Sequence, residues 1–150
     1  MIPLSQRDPR WANVKLKGTN LTLGKVGCTT TCISMLSRYF GIGASPVFLA
    51  SSALDYTPDG LLKWESVNRL SHMRFDKRGY GRDDKEIQDA LSDPDRAVIL
   101  QVANGSHWIV AVRKSFLVND YICYDPWDGK RCAAIAKYKN ITGFATFKKS

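Results

Sequence analysis

Three side chains in this sequence have the types needed for nucleophilic chemistry: Cys28, His107 and Asp125. A thiol becomes a nucleophile when its pKa is lowered, a base stands within hydrogen-bond reach and a third group orients that base. Cys28 follows Gly27 and opens a run in which Cys28, Cys32, Met35, Leu36, Tyr39 and Phe40 recur at helical spacing. The spacing predicts a helix over about 28–40, ended by Gly41 at C′. Cys28 then lies in its first turn, where unpaired N–H groups and the positive dipole end favour a thiolate. Gly27 is read as the residue that lets the backbone turn sharply and leaves room for a substrate carbonyl. The Cys28 stripe also faces the core, so a buried, inert thiol is the competing reading.

His107 begins the strand-like run HWIVAVRK directly after the turn Asn104-Gly105-Ser106, so it projects at a sheet end. Asp125 stands near the end of a second strand, 121–127, and Pro126 after it breaks the ladder. If Lys114 pairs with Tyr121, His107 faces residue 128 and Asp125 points to the other face. A connection tighter by one residue sets His107 opposite Trp127, with Asp125 two positions away on the same face and within diagonal reach. The sequence leaves both registers open.

Further elements must hold these residues. Residues 46–54 and 60–71 read as two helices, and 72–82 as a loop or an edge strand. Asp83 caps a short helix running to Leu91, with Glu86 completing a capping box and Pro94 stopping the segment. After residue 95 come strands at 97–103, 107–114, 121–127, 132–138 and 141–149, with Gly143 as a bulge, which implies an antiparallel meander. Helices first and sheet second define an α+β fold in one domain, 1–150.

Composition narrows the classes. The chain has 150 residues, 44% hydrophobic and 24% charged, which excludes a disordered chain, a collagen and a long coiled coil. No apolar run reaches the ~20 residues of a membrane helix. The start MIPLSQRDPRW lacks a secretory pattern, so synthesis in the cytoplasm is expected. The net charge of +8 favours polyanions such as nucleic acid, anionic lipid or cell-wall polymers. The basic residues are scattered, with no nucleic-acid motif around them, which argues against nucleic acid as partner. Cysteines 28, 32, 123 and 132 form C-x3-C and C-x8-C pairs, neither a zinc spacing, and only two histidines exist, so no metal is expected. Cys32 is expected to be buried. Cys123 and Cys132 flank the Asp128-Gly129 turn, where a hairpin would pair them directly, so an oxidising compartment would permit a disulfide.

Four motifs occur in order: Gln6-Arg7-Asp8-Pro9-Arg10-Trp11-Ala12, Gly27-Cys28 opening a helix, Gly105-Ser106-His107-Trp108-Ile109-Val110, and Tyr124-Asp125-Pro126-Trp127-Asp128-Gly129. Together they resemble the peptidase C39-like family of the papain-like cysteine peptidase superfamily, over about residues 3–147. The resemblance implies a papain-like fold with N-terminal helices packed on a C-terminal antiparallel sheet. It implies Cys28 as nucleophile, His107 as general base, Asp125 as orienting residue, Gln6 as an oxyanion-hole donor and no cofactor. Trp108 and Trp127 are candidate cleft residues. The family more often carries Gly-Cys-Gly-Pro-Thr where this chain has Gly-Cys-Thr-Thr-Thr.

The family includes leader peptidases and wall hydrolases of phage and bacterial origin. A leader-peptidase domain usually precedes a membrane transporter, which these 150 residues do not contain, and the charge suits an anionic wall. The expected reaction is therefore cleavage of peptidoglycan stem peptides, as endopeptidase or amidase, after phage-lysin-type release. The alternatives are a cytosolic peptidase acting on a protein, and a catalytically silent C39-like binding module.

Overall fold

A computed structural model describes residues 1–150. Six strands form one sheet: β1 (Met73–Tyr80), β2 (Arg96–Val102), β3 (His107–Lys114), β4 (Tyr121–Asp125), β5 (Lys130–Ala133) and β6 (Gly143–Lys149). Their order is β1-β6-β2-β3-β4-β5, and every neighbouring pair is antiparallel. β2 to β5 make the expected meander. The last strand departs from it by returning to lie between β1 and β2. The segment around 72–82 supplies the edge strand β1.

The helices are α1 (Leu23–Val26), α2 (Cys28–Tyr39), α3 (Pro46–Phe48), α4 (Asp84–Leu91) and α5 (Ala134–Tyr138). The class is α+β. Alternation along the strands builds a core on each face of the sheet. Ala97, Ile99 and Val110 join Cys32, Met35 and Leu36 of α2 in one core. Val98, Leu100 and Ile109 join Ile87 and Ala90 of α4 and Ala134 of α5 in the other. Each fully buried Leu or Ile contributes about 1.5–3 kcal/mol, so both faces hold the sheet firmly.

Local chemistry explains the departures from expectation. Segment 46–54 makes a single α-turn, capped by Ser45 Oγ accepting the Phe48 N–H at 3.1 Å, and continues with π-helical geometry over Leu49–Ala53. Segment 60–71 is helical only over Trp64–Arg69, as a 3₁₀ helix, while Leu62 bridges Tyr56. Its apolar residues Trp64, Val67 and Leu70 are three apart, the period of a 3₁₀ helix rather than an α-helix. The expected strand 132–138 ends at Ala133, and the rest is α5. Buried Asp120 accepts the N–H groups of Ile135 and Ala136 at 2.8 and 3.0 Å, capping α5 from fifteen residues upstream. The capping box of α4 is half made. Asp83 accepts the Glu86 N–H at 3.1 Å, but Glu86 itself turns to Arg96 at 2.9 Å. Gly143 is no bulge, for it pairs regularly with Tyr80 and Gln101. A Cβ there would press on the Arg78 guanidinium. The bulges lie in β1, between Phe75 and Lys77, and in β3, between Ala111 and Arg113.

Candidate active site

Cys28 is the first residue of α2, as expected. Gly27 before it has φ −86°, so the turn needs no glycine conformation. Glycine is required there for space instead: a Cβ would lie 2.5 Å from the Leu23 carbonyl oxygen. The first N–H groups of a helix have no partner within it. The carbonyl four residues back, that of Gly24, is taken by Gln6, whose Nε2 donates to it at 3.2 Å and to Leu23 O at 3.4 Å. Gln6 is only 2% exposed, and its own N–H donates to Pro126 O at 2.6 Å. The N-terminal segment is thereby tied to both α1, just ahead of Cys28, and the corner after Asp125.

His107 and Asp125 meet through the bulge in β3. At the hairpin end Lys114 pairs with Tyr121 and Arg113 with Ile122, the register that would send Asp125 to the wrong face. Val112 is then left unpaired, and Ala111 pairs with Cys123 and Val110 with Tyr124. This one-residue slip puts Asp125 on the face of His107, where Asp125 Oδ1 lies 2.7 Å from His107 Nε2. The correction comes from the bulge and not from a tighter hairpin loop. The ring's other nitrogen, Nδ1, is left for the thiol. Cys28 sits on α2, against the opposite sheet face, and lines the same cleft as His107 because that residue starts its strand.

Asp125 is 0% exposed, and both its oxygens are saturated. Oδ1 also accepts the Trp127 N–H at 2.9 Å. Oδ2 accepts Lys137 Nζ at 2.6 Å and the Tyr138 hydroxyl. Burial alone would raise this carboxyl, but His107, Lys137, Tyr138 and the Trp127 N–H hold it well below the usual carboxylate range. Lys137 and Tyr138 are the site residues that sequence reasoning missed. They lie on α5, in a segment whose apolar alternation reads as strand. The helix-forming content of Ala134-Ile135-Ala136-Lys137 was the available signal.

The two reactive groups support one another. Burial pushes the Cys28 thiol up, but the hydrogen bond and charge of His107, aided by the Trp108 main chain and Thr29, outweigh it and lower its pKa from the ordinary 9.0. Burial pulls His107 down, but Asp125 and Cys28 raise it from 6.5 to about 9. Both shifts favour a thiolate–imidazolium pair. Cys28 alone among the four thiols is lowered. Burial holds Cys32 and Cys123 well above 9.0 and pushes Cys132 to about 11. Cys123 and Cys132 are directly paired, as the hairpin reading expected, and both are free thiols. Cys32 is fully buried.

The pair fixes a pH dependence. A lowered thiol is ionised from below its ordinary value upward, and a raised imidazole keeps its proton up to about 9, so the ion pair fills the window between. At about pH 6 an ordinary thiol is only roughly 0.3% thiolate. Iodoacetamide at that pH is expected to label Cys28 alone, read by peptide mapping. The rate should level off at lower pH than an ordinary thiol's and stay level toward about pH 9. A rate climbing about tenfold per pH unit would show an ordinary thiol instead.

These groups line a cleft of about 510 Å³. Lys25 and residues 59–61 border it on one side, and Ser106, His107, Trp127 and Tyr138 belong to the sheet end. Residues 59–61, at the start of the segment read as a helix from 60, are thus part of the cleft wall. Trp108 touches the cleft but is mainly core, packed edge-on against Trp64 at 5.3 Å. Trp127 is 43% exposed, with the Arg7 guanidinium 4.2 Å from its ring centroid, and forms part of the rim. Ahead of His107 the turn Ala103–Gly105 holds three successive positive φ angles, two of them on non-glycine residues. Such backbone concentrates at functional sites.

Fold and site together define an α+β chain with a Cys-His-Asp constellation in an open cleft. No protein-family model matches the sequence, and no curated protein matches it. No helix is long and apolar enough to cross a membrane.

Proposed function

We propose that this chain is a thiol-dependent amide hydrolase of papain-like, C39-like type. The observation that carries the reading is the convergence of Asp125 on His107 at 2.7 Å while His107 and Cys28 stabilise each other's ionised forms. The Cys28 thiolate attacks an amide carbonyl, giving a tetrahedral intermediate. The His107 imidazolium protonates the leaving amine, and water activated by His107 then resolves the acyl-enzyme. The intermediate's oxyanion is held by the Cys28 N–H at the start of α2, and Gln6 adds a second donor when its amide, which now donates to Leu23 O and Gly24 O, releases one of those carbonyls. Each such donor is worth roughly 3–4 kcal/mol.

Peptidoglycan stem peptides are the substrate we infer. The cleft is open enough for a branched peptide, and the chain's net +8 charge complements an anionic wall. The test is digestion of purified peptidoglycan with mass analysis of the fragments. The expected result is a single new amine and carboxyl at one stem-peptide amide. Unchanged muropeptides, with Cys28 shown to be reactive, would remove this substrate and leave a peptidase acting on proteins. An unreactive Cys28 and no cleavage of any amide would remove the hydrolase.

A further inference from the structure

The hairpin between β3 and β4 exposes three consecutive large apolar side chains: Phe116 at 86%, Leu117 at 94% and Val118 at 61%. Contiguous apolar surface of this kind marks an interaction site. The tip is braced from below. Lys114 Nζ bonds Asn119 Oδ1 at 3.1 Å, Arg82 bonds the same oxygen at 2.8 Å, and Ser115 N–H meets Asp120 O at 2.9 Å. Its base is cationic. Lys114 bonds only uncharged oxygens, and the Arg113 guanidinium lies 4.7 Å from the Phe116 ring centroid. Of the nearby acids, Asp84 is paired with Arg82 at 2.8 Å, and Asp120 is buried with its carboxylate turned to the start of α5.

We propose that residues 116–118 insert into the interfacial region of an anionic lipid bilayer, with Arg113 and Lys114 on its headgroups. Apolar tip above cationic collar is the arrangement that interfacial binding requires. An acidic protein groove would match the collar but offer no reason for a narrow, wholly solvated tip. The tip and the cleft lie at opposite ends of β3, roughly 23 Å apart at the usual rise per residue. A docked chain therefore keeps its cleft open and turned away from the lipid. This inference stands independently of what the cleft hydrolyses.

The experiment is sedimentation of the full chain with vesicles of phosphatidylglycerol and phosphatidylcholine, against phosphatidylcholine alone. Binding to the anionic vesicles is expected, about tenfold or more weaker in the double variant Phe116→Ser/Leu117→Ser. Both positions are solvent-exposed, so thermal unfolding and Cys28 alkylation should match the parent and show the variant folded. Three results would overturn the proposal: no binding to anionic vesicles at low salt, equal binding by the variant, or a concentration-dependent dimer that the variant abolishes. The last would assign the tip to a second copy of the chain.

Discussion

Amide cleavage is expected to fall by about 10⁴–10⁶ in Cys28→Ala, with the fold retained. No other thiol can take over. Cys32, one turn along α2, is fully buried, with its sulfur 3.5 Å from the Trp108 carbonyl oxygen. Cys28 is only half-buried, so loss of its sulfur should cost about 1 kcal/mol of stability. His107→Ala should lower kcat/KM as far, and the double variant no further, because thiolate and imidazolium act as one unit. The checks are kcat/KM for the three variants and their thermal unfolding curves. Substantial residual cleavage in folded Cys28→Ala would mean that another group attacks.

Asp125→Ala is expected to damage both activity and stability. It strips acceptors from His107, Lys137, Tyr138 and the Trp127 N–H together. Breaking a buried ion pair from one side costs about 3–5 kcal/mol. The lower end applies here, because the Lys137 side chain is partly exposed and can turn to water. Without the carboxylate, burial weighs more heavily at His107 and its raised pKa should fall, so the alkaline limb of amide cleavage, which needs the imidazolium proton, moves down from about 9. Activity should drop by about 10²–10⁴. Asp125→Asn preserves the size and separates the two effects, since stability should recover further than rate. The linkage sign follows from the depressed carboxyl. Its stabilisation is present above the unfolded carboxylate pKa of about 3.9 and is lost as pH falls below it.

What the sequence displayed of this site was the part set by local rules. Helical spacing placed Cys28 at the start of α2, and strand patterning placed His107 at the start of β3. The pairing of Cys123 with Cys132 followed from the hairpin turn between them. Contacts formed across the chain were not legible. The unpaired Val112 decides which way Asp125 points, yet valine is an ordinary strand residue and nothing local marks it as a bulge. α5 depends on Asp120, fifteen residues away, so its own residues read as strand and hid Lys137 and Tyr138. β6 takes its place between β1 and β2 by sheet pairing, which periodicity along a chain does not encode. The papain-like assignment still rests on motif resemblance and the arrangement of these side chains.

Lys137 gives the buried constellation one last property. A thiol with lowered pKa, an imidazole with raised pKa, a carboxyl with lowered pKa and an ammonium with raised pKa stand in series, so their ionised forms alternate in sign. Their charges cancel, so the field they project decays faster with distance than that of any one of them. If the proposed anionic polymer is the substrate, its capture falls to cations scattered over the exterior, which ionic strength can mute. The proposed bond-breaking step would draw on this balanced set of charges and is expected to be indifferent to added salt.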